Sequence, residues 1–114
     1  MNQCEIWLVD LNPSRGAELQ KIRPCLVVGD NAVGKLPLRV VVPLTDWKSH
    51  YKPVSWLVEV NPSSQNGLQK DSAADCFQIR SVSVSRFIKR LGKVDASDFE
   101  RIQRGLATVF SFVV

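Results

Sequence analysis

The chain has 114 residues, a net charge of +4 and a pI near 9.2. With 45% hydrophobic and 23% charged residues it reads as one globular domain over residues 1–114, not a disordered tail or a collagenous repeat. No apolar run nears the roughly 18 residues of a membrane span. No secretory leader pattern opens the chain, and Cys4, Cys25 and Cys76 form no CxxC pair, so a cytoplasmic protein without disulfides or zinc is expected.

In chain order, residues 5–9 (Glu-Ile-Trp-Leu-Val) predict a strand, closed by the turn signal Asn12-Pro13. A charged loop over residues 14–21 follows. Residues 25–28 predict a second strand, with Arg23 and Pro24 at its mouth, where a residue without an N–H is tolerated. Residues 38–45 predict a third strand, and Pro43 argues for an edge or the strand's end. Residues 54–60 alternate, placing Val54, Trp56, Val58 and Val60 on one buried face. Trp7 and Trp56 are expected in the core. Residues 61–67 read as a loop, residues 76–84 as one or two further strands, and residues 85–89 as a short helix.

The last segment predicts a helix. Ser97 and Glu100 have capping-box spacing. Phe99, Ile102, Leu106, Val109, Phe110 and Val113 recur on one face. The fold class is therefore mainly β with helices (α+β): a small antiparallel, SH3-like barrel of five to seven strands with a C-terminal helix. From Cys76 to Val94 there is no Asp or Glu, whereas Arg80, Arg86, Lys89, Arg90 and Lys93 all fall there. Such a run is either a solvated face or a surface for a polyanion.

Chemistry follows by elimination. His50 is the only histidine, so paired-histidine and Ser-His-Asp catalysis lack their parts. No ligand set for a metal and no phosphate-binding glycine loop stands out, so no cofactor is expected. What remains is polar groups near strand ends: Glu18, Arg23, Thr45 and Gln78. A guanidinium, a hydroxyl and a carboxylate suit RNA cleavage by the substrate's own 2′-hydroxyl. There the protein aligns the attack and neutralises the phosphorane, and arginine's planar fork matches phosphate oxygens.

At these residues the chain resembles the MazF/PemK-type toxins of bacterial toxin–antitoxin systems, which are mRNA-cleaving endoribonucleases. The resemblance runs over residues 4–112. It is carried by Asp10-Leu11-Asn12-Pro13, by Gly16-Ala17-Glu18 with Ile22-Arg23-Pro24-Cys25-Leu26-Val27, by Val42-Pro43-Leu44-Thr45, and by Phe77-Gln78-Ile79-Arg80. It implies a PemK-like barrel in which Arg23 and Thr45 are the catalytic pair, acting without metal to leave a 2′,3′-cyclic phosphate and a 5′-hydroxyl. Glu18 is a candidate acceptor for the 2′-hydroxyl proton, or else a loop carboxylate paired with Lys21 or Arg23. Gln78 either contacts substrate, braces the arginine, or is a satisfied polar residue at a strand edge. Arg80, Arg86 and Lys48 are candidates for the RNA backbone, and Trp47 and Tyr51 for stacked bases. A two-fold homodimer and a cognate antitoxin are implied as partners. The chain departs from the family where Phe77 precedes Gln78, since members often carry Asp or Glu there. Two other functions fit the same barrel: a gyrase-poisoning toxin and a non-catalytic nucleic-acid-binding protein. The arginine–threonine pair favours the ribonuclease.

Overall fold

Seven strands form, most of them from apolar, β-branched runs, and the one long amphipathic run produces the helix. The computed structural model describes residues 1–113. The strands are β1 (Glu5–Asp10), β2 (Ile22–Val27), β3 (Leu38–Asp46), β4 (Leu57–Val60), β5 (Ser72–Asp75), β6 (Arg80–Ser83) and β7 (Phe87–Lys93). The helix is α1 (Ala96–Phe110), and three-residue 3-10 turns occupy 49–51, 76–78 and 84–86. The antiparallel sheet runs β4-β5-β3-β2-β1-β7, and β6 pairs with β3.

β3 organises the fold. Its nine residues pair with β2 on one side, and with β6 and then β5 on the other. Pro43 therefore sits inside a central strand, not at an edge. The carbonyl of Val40 accepts amides from Val28 and Gly29 on the β2 side. By alternation the backbone of Pro43 faces the opposite side. There β6 pairing stops at Val41 and β5 pairing starts at Leu44, so no partner needs the missing N–H. Pro24 is accommodated the same way. β2 begins at Ile22 rather than Cys25, and Pro24 falls just beyond the last β2–β3 pair, Cys25 with Pro43.

Two apolar clusters form on the two faces. Ile6, Leu26, Val42, Val60 and Ile102, each fully buried, make one with the helix. Val9, Leu11, Cys25, Val27 and Val41 make the other, flanked by Trp7 and Phe87 packed edge to face at 5.7 Å. Burying a side chain such as Ile102 contributes roughly 1.5–3 kcal/mol. α1 lies very close to the sheet. A Cβ on Gly105 would stand 2.8 Å from Cys76 Sγ and 3.0 Å from Val58 Cγ2, so only glycine permits the approach. Burial pushes the Cys76 thiol up to about 12, an inert buried group.

The helix begins two residues before the Ser97–Glu100 box. Its cap is Asp95, whose carboxylate accepts the Asp98 amide at 2.8 Å. Packing decides between the two frames. With Asp95 as cap, Val94 and Phe99 stand at the staple positions, and both join the helix-side cluster. Glu100 instead pairs with Arg104 at 2.9 Å. The apolar stripe ends at Val109, for Phe110 is 53% and Val113 100% exposed. Residues 54–56 are turn, not strand, and Trp56 is 40% exposed rather than core. The helix expected at 85–89 reduces to the 3-10 turn 84–86, after which β7 starts.

Candidate active site

Strand register builds the site. Cys25 stands opposite Pro43, and continuing that antiparallel register two steps sets Arg23 opposite Thr45. Their side chains meet accordingly: Arg23 Nη1 lies 3.4 Å from Thr45 Oγ1. Arg23 Nε donates to the Gln20 carbonyl at 2.8 Å, which fixes the guanidinium plane, and the residue is partly exposed. Burial pushes the neighbouring Cys25 thiol up to about 12, offset only in part by the Arg80 and Arg23 charges. Beside Thr45, Asp46 pairs with Lys70 at 2.8 Å, and that contact holds its carboxyl below the usual range.

A groove of about 460 Å³ opens on this face, lined by Glu18, Pro43, Phe77, Gln78 and Arg80 among others. Pro43 and Thr45 are two residues apart on β3, so groove and pair share one face of the strand. The 14–21 loop forms one wall and is held by its own bonds. Ser14 Oγ donates to the Leu11 carbonyl at 2.6 Å and lies 3.2 Å from the Leu19 carbonyl, between which its one proton is shared. Glu18 Oε1 accepts the Arg15 amide at 2.9 Å. Among the described residues Glu18 makes no ion pair with Lys21 or Arg23, and it lines the groove.

Gln78 ties that loop to the sheet. Its Oε1 accepts the Leu19 amide at 2.6 Å, and its Nε2 donates to Asp75 Oδ2 at 3.1 Å. Asp75 also accepts the Phe77 amide and thereby caps the 76–78 turn. Half-burial raises the Asp75 carboxyl above its ordinary range, opposed by the Gln78 and Phe77 bonds. The carboxylate that serves Gln78 thus comes from Asp75, three residues earlier. Asp75 was not singled out in the sequence; its position two residues before the Phe77 amide is the Asx-type signal that marks it.

The remaining candidates spread out. Arg86 Nη1 donates to the carbonyls of Asp10 and Asn12, so it braces the end of β1. Arg80 lines the groove. Trp47 and Tyr51 pack edge to face at 5.8 Å beyond the end of β3, with exposed Lys48 between them in sequence. Trp47 lines a second groove of about 320 Å³, beside Arg101 and Arg104 of the helix, not the groove of Glu18. Among the described residues no three His, Cys, Asp or Glu side chains gather as a metal site. Among the described residues no helix is long and apolar enough to cross a membrane.

Residues 2–110 match the family of PemK-like, MazF-like toxins of type II toxin–antitoxin systems. Endoribonuclease MazF9 of Mycobacterium tuberculosis is 32% identical over 93% of this chain and 92% of its own length. Endoribonuclease PemK of Escherichia coli is 31% identical, over 97% of this chain and 83% of its own. A mycobacterial endoribonuclease solved in complex with its cognate antitoxin superposes with a TM-score of 0.78. It is 20% identical and covers 100% of this chain and 98% of its own, a likeness of fold. With the matched region spanning nearly the whole chain, from β1 through α1, the chain belongs to the PemK-like, MazF-like toxins of type II toxin–antitoxin systems.

Proposed function

We propose that this toxin is an endoribonuclease that cleaves single-stranded mRNA through the substrate's own 2′-hydroxyl. The observation that carries the proposal is the Arg23–Thr45 contact, on the same face of β3 as Pro43, which lines the groove. The 2′-oxygen attacks phosphorus as its proton leaves, the bond to the 5′-oxygen breaks, and that oxygen takes a proton. The products are a 2′,3′-cyclic phosphate and a 5′-hydroxyl. Arg23 and Thr45 donate to the non-bridging oxygens, where charge develops, and each donor is worth about 3 kcal/mol of barrier. Glu18, on the groove wall, accepts the 2′-hydroxyl proton. No step calls on a metal ion.

The same groove is the target of a cognate antitoxin, which silences the toxin in the cytoplasm. The chain carries a net charge of +4, which is matched by an acidic segment that folds on binding. The toxin works as a two-fold dimer. Phe110 and Phe112, with ring centroids 6.1 Å apart and both more than half exposed, supply apolar surface for assembly. The test is the chemistry of the ends left on single-stranded RNA in EDTA. New 5′-hydroxyl ends support the proposal. Binding without cleavage points to a non-catalytic nucleic-acid-binding protein instead.

A further inference from the structure

Phe77 is out of place for an apolar residue. It is 71% exposed on a turn whose other apolar member, Cys76, is fully buried. The turn is rigid: Asp75 accepts the Phe77 amide at 3.2 Å and the Gln78 side chain at 3.1 Å, and Gln78 in turn holds Leu19. The ring is therefore held out, not left loose. It lines the same groove as Glu18, Gln78 and Arg80. Among the large apolar residues lining that groove it alone is more than a third exposed.

A lone aromatic face among a carboxylate, an amide and a guanidinium does not make a protein-docking patch, which needs contiguous apolar surface. It matches single-stranded nucleic acid, whose unpaired bases stack on aromatic rings while charged groups hold the backbone. We infer that Phe77 is a substrate-binding residue on which one unpaired base of the RNA stacks beside the scissile phosphate. The inference rests on the ribonuclease reading above. It also states what the ring does to specificity. A ring has no hydrogen-bonding group, so this position holds a base by its face and tolerates all four. An Asp or Glu in its place would accept from amino-bearing bases and so discriminate among them.

The test uses the full-length toxin and an oligoribonucleotide that the wild type cleaves, 2′-O-methylated at every position so that no cut occurs. Phe77→Ala should weaken binding by about 5- to 150-fold, the effect of one lost base stack. Phe77→Trp should bind like wild type, and Phe77→Leu like Phe77→Ala, because bulk alone does not replace the ring. On the cleavable RNA, Phe77→Ala should raise KM with kcat little changed. Equal binding by wild type and Phe77→Ala, with wild-type cleavage intact, overturns the inference and leaves the ribonuclease reading standing. Equal binding by Phe77→Leu and wild type also overturns it. If light scattering shows Phe77→Ala with a lower assembly mass and unchanged RNA affinity per active chain, the ring belongs to a protein interface and the inference falls. A wild type that neither cuts nor binds RNA removes both.

Discussion

Gln78→Leu keeps volume and removes the link between the 14–21 loop and the 76–78 turn. Two bonds go: the 2.6 Å acceptor contact with the Leu19 amide and the 3.1 Å donor contact with the Asp75 carboxylate. A neutral hydrogen bond contributes about 0.5–1.5 kcal/mol and one to a charged group about 1.5–3 kcal/mol. The loop is exposed on its outer side, so water recovers part of this. The net loss should be about 2 kcal/mol. Most of it should appear locally, because Leu19 joins the second apolar cluster only at its edge. Urea unfolding should show a lower midpoint at unchanged slope. Amide exchange at Leu19 should speed up by about tenfold or more, as 1.4 kcal/mol per decade requires. RNA cleavage should slow as Glu18 loses its anchored neighbour. Unaltered protection at Leu19 would show that Ser14 and the loop's own bonds hold the wall, and that Gln78 does not position it.

Three further outcomes are expected. Partial burial opposes ionisation of Glu5, but the Asn2 amide, the Trp7 indole, the N-terminus and Arg90 prevail and lower its carboxyl to about 2. Its stabilising effect is full above the ordinary value near 4.5 and is lost as pH falls from there toward 2. Glu5→Gln should flatten the acid limb of the stability curve, by at most about 3 kcal/mol less solvent screening; an unchanged limb refutes the contact set. Asp95→Ala should destabilise by about 1 kcal/mol in thermal melts and Ser97→Ala by a few tenths, and the reverse order would restore the Ser97 cap. A peptide from the acidic segment of the partner antitoxin should compete with 2′-O-methyl RNA for the toxin, with affinity falling as salt rises; joint binding without mutual loss would place inhibition elsewhere.

The parts legible in the sequence were those with strong local signals. β1 and β3 announce themselves as apolar, β-branched runs and α1 by its helical stripe, while the resemblance to the toxin family names Arg23 and Thr45, whose side chains the fold brings to 3.4 Å. The parts that were not legible depend on tertiary context. β5 is Ser-Ala-Ala-Asp, with no β-branched residue, and is a strand because β3 and β4 flank it. β7 carries Lys89, Arg90 and Lys93 on an edge strand, where charge is tolerated and the alternation is weak. Residues 54–56 continue the alternation of β4 yet turn away, leaving Trp56 exposed. At the helix start the sequence points to a Ser97–Glu100 box, but the cap is Asp95, with Val94 and Phe99 packed in the helix-side cluster. At the site, the Leu19 amide and the Gln78 side chain, 59 residues apart, meet only in the folded chain.

The most direct measurement is end-group analysis of single-stranded RNA incubated in EDTA with wild type, Arg23→Ala and Thr45→Ala, each checked for folding by circular dichroism. Wild type should leave 2′,3′-cyclic phosphates and 5′-hydroxyls, and each variant should cut roughly 10²–10³-fold more slowly, the cost of one transition-state donor. Cleavage that stops in EDTA, 5′-phosphate ends, or variants that cut at the wild-type rate would contradict catalysis by this pair.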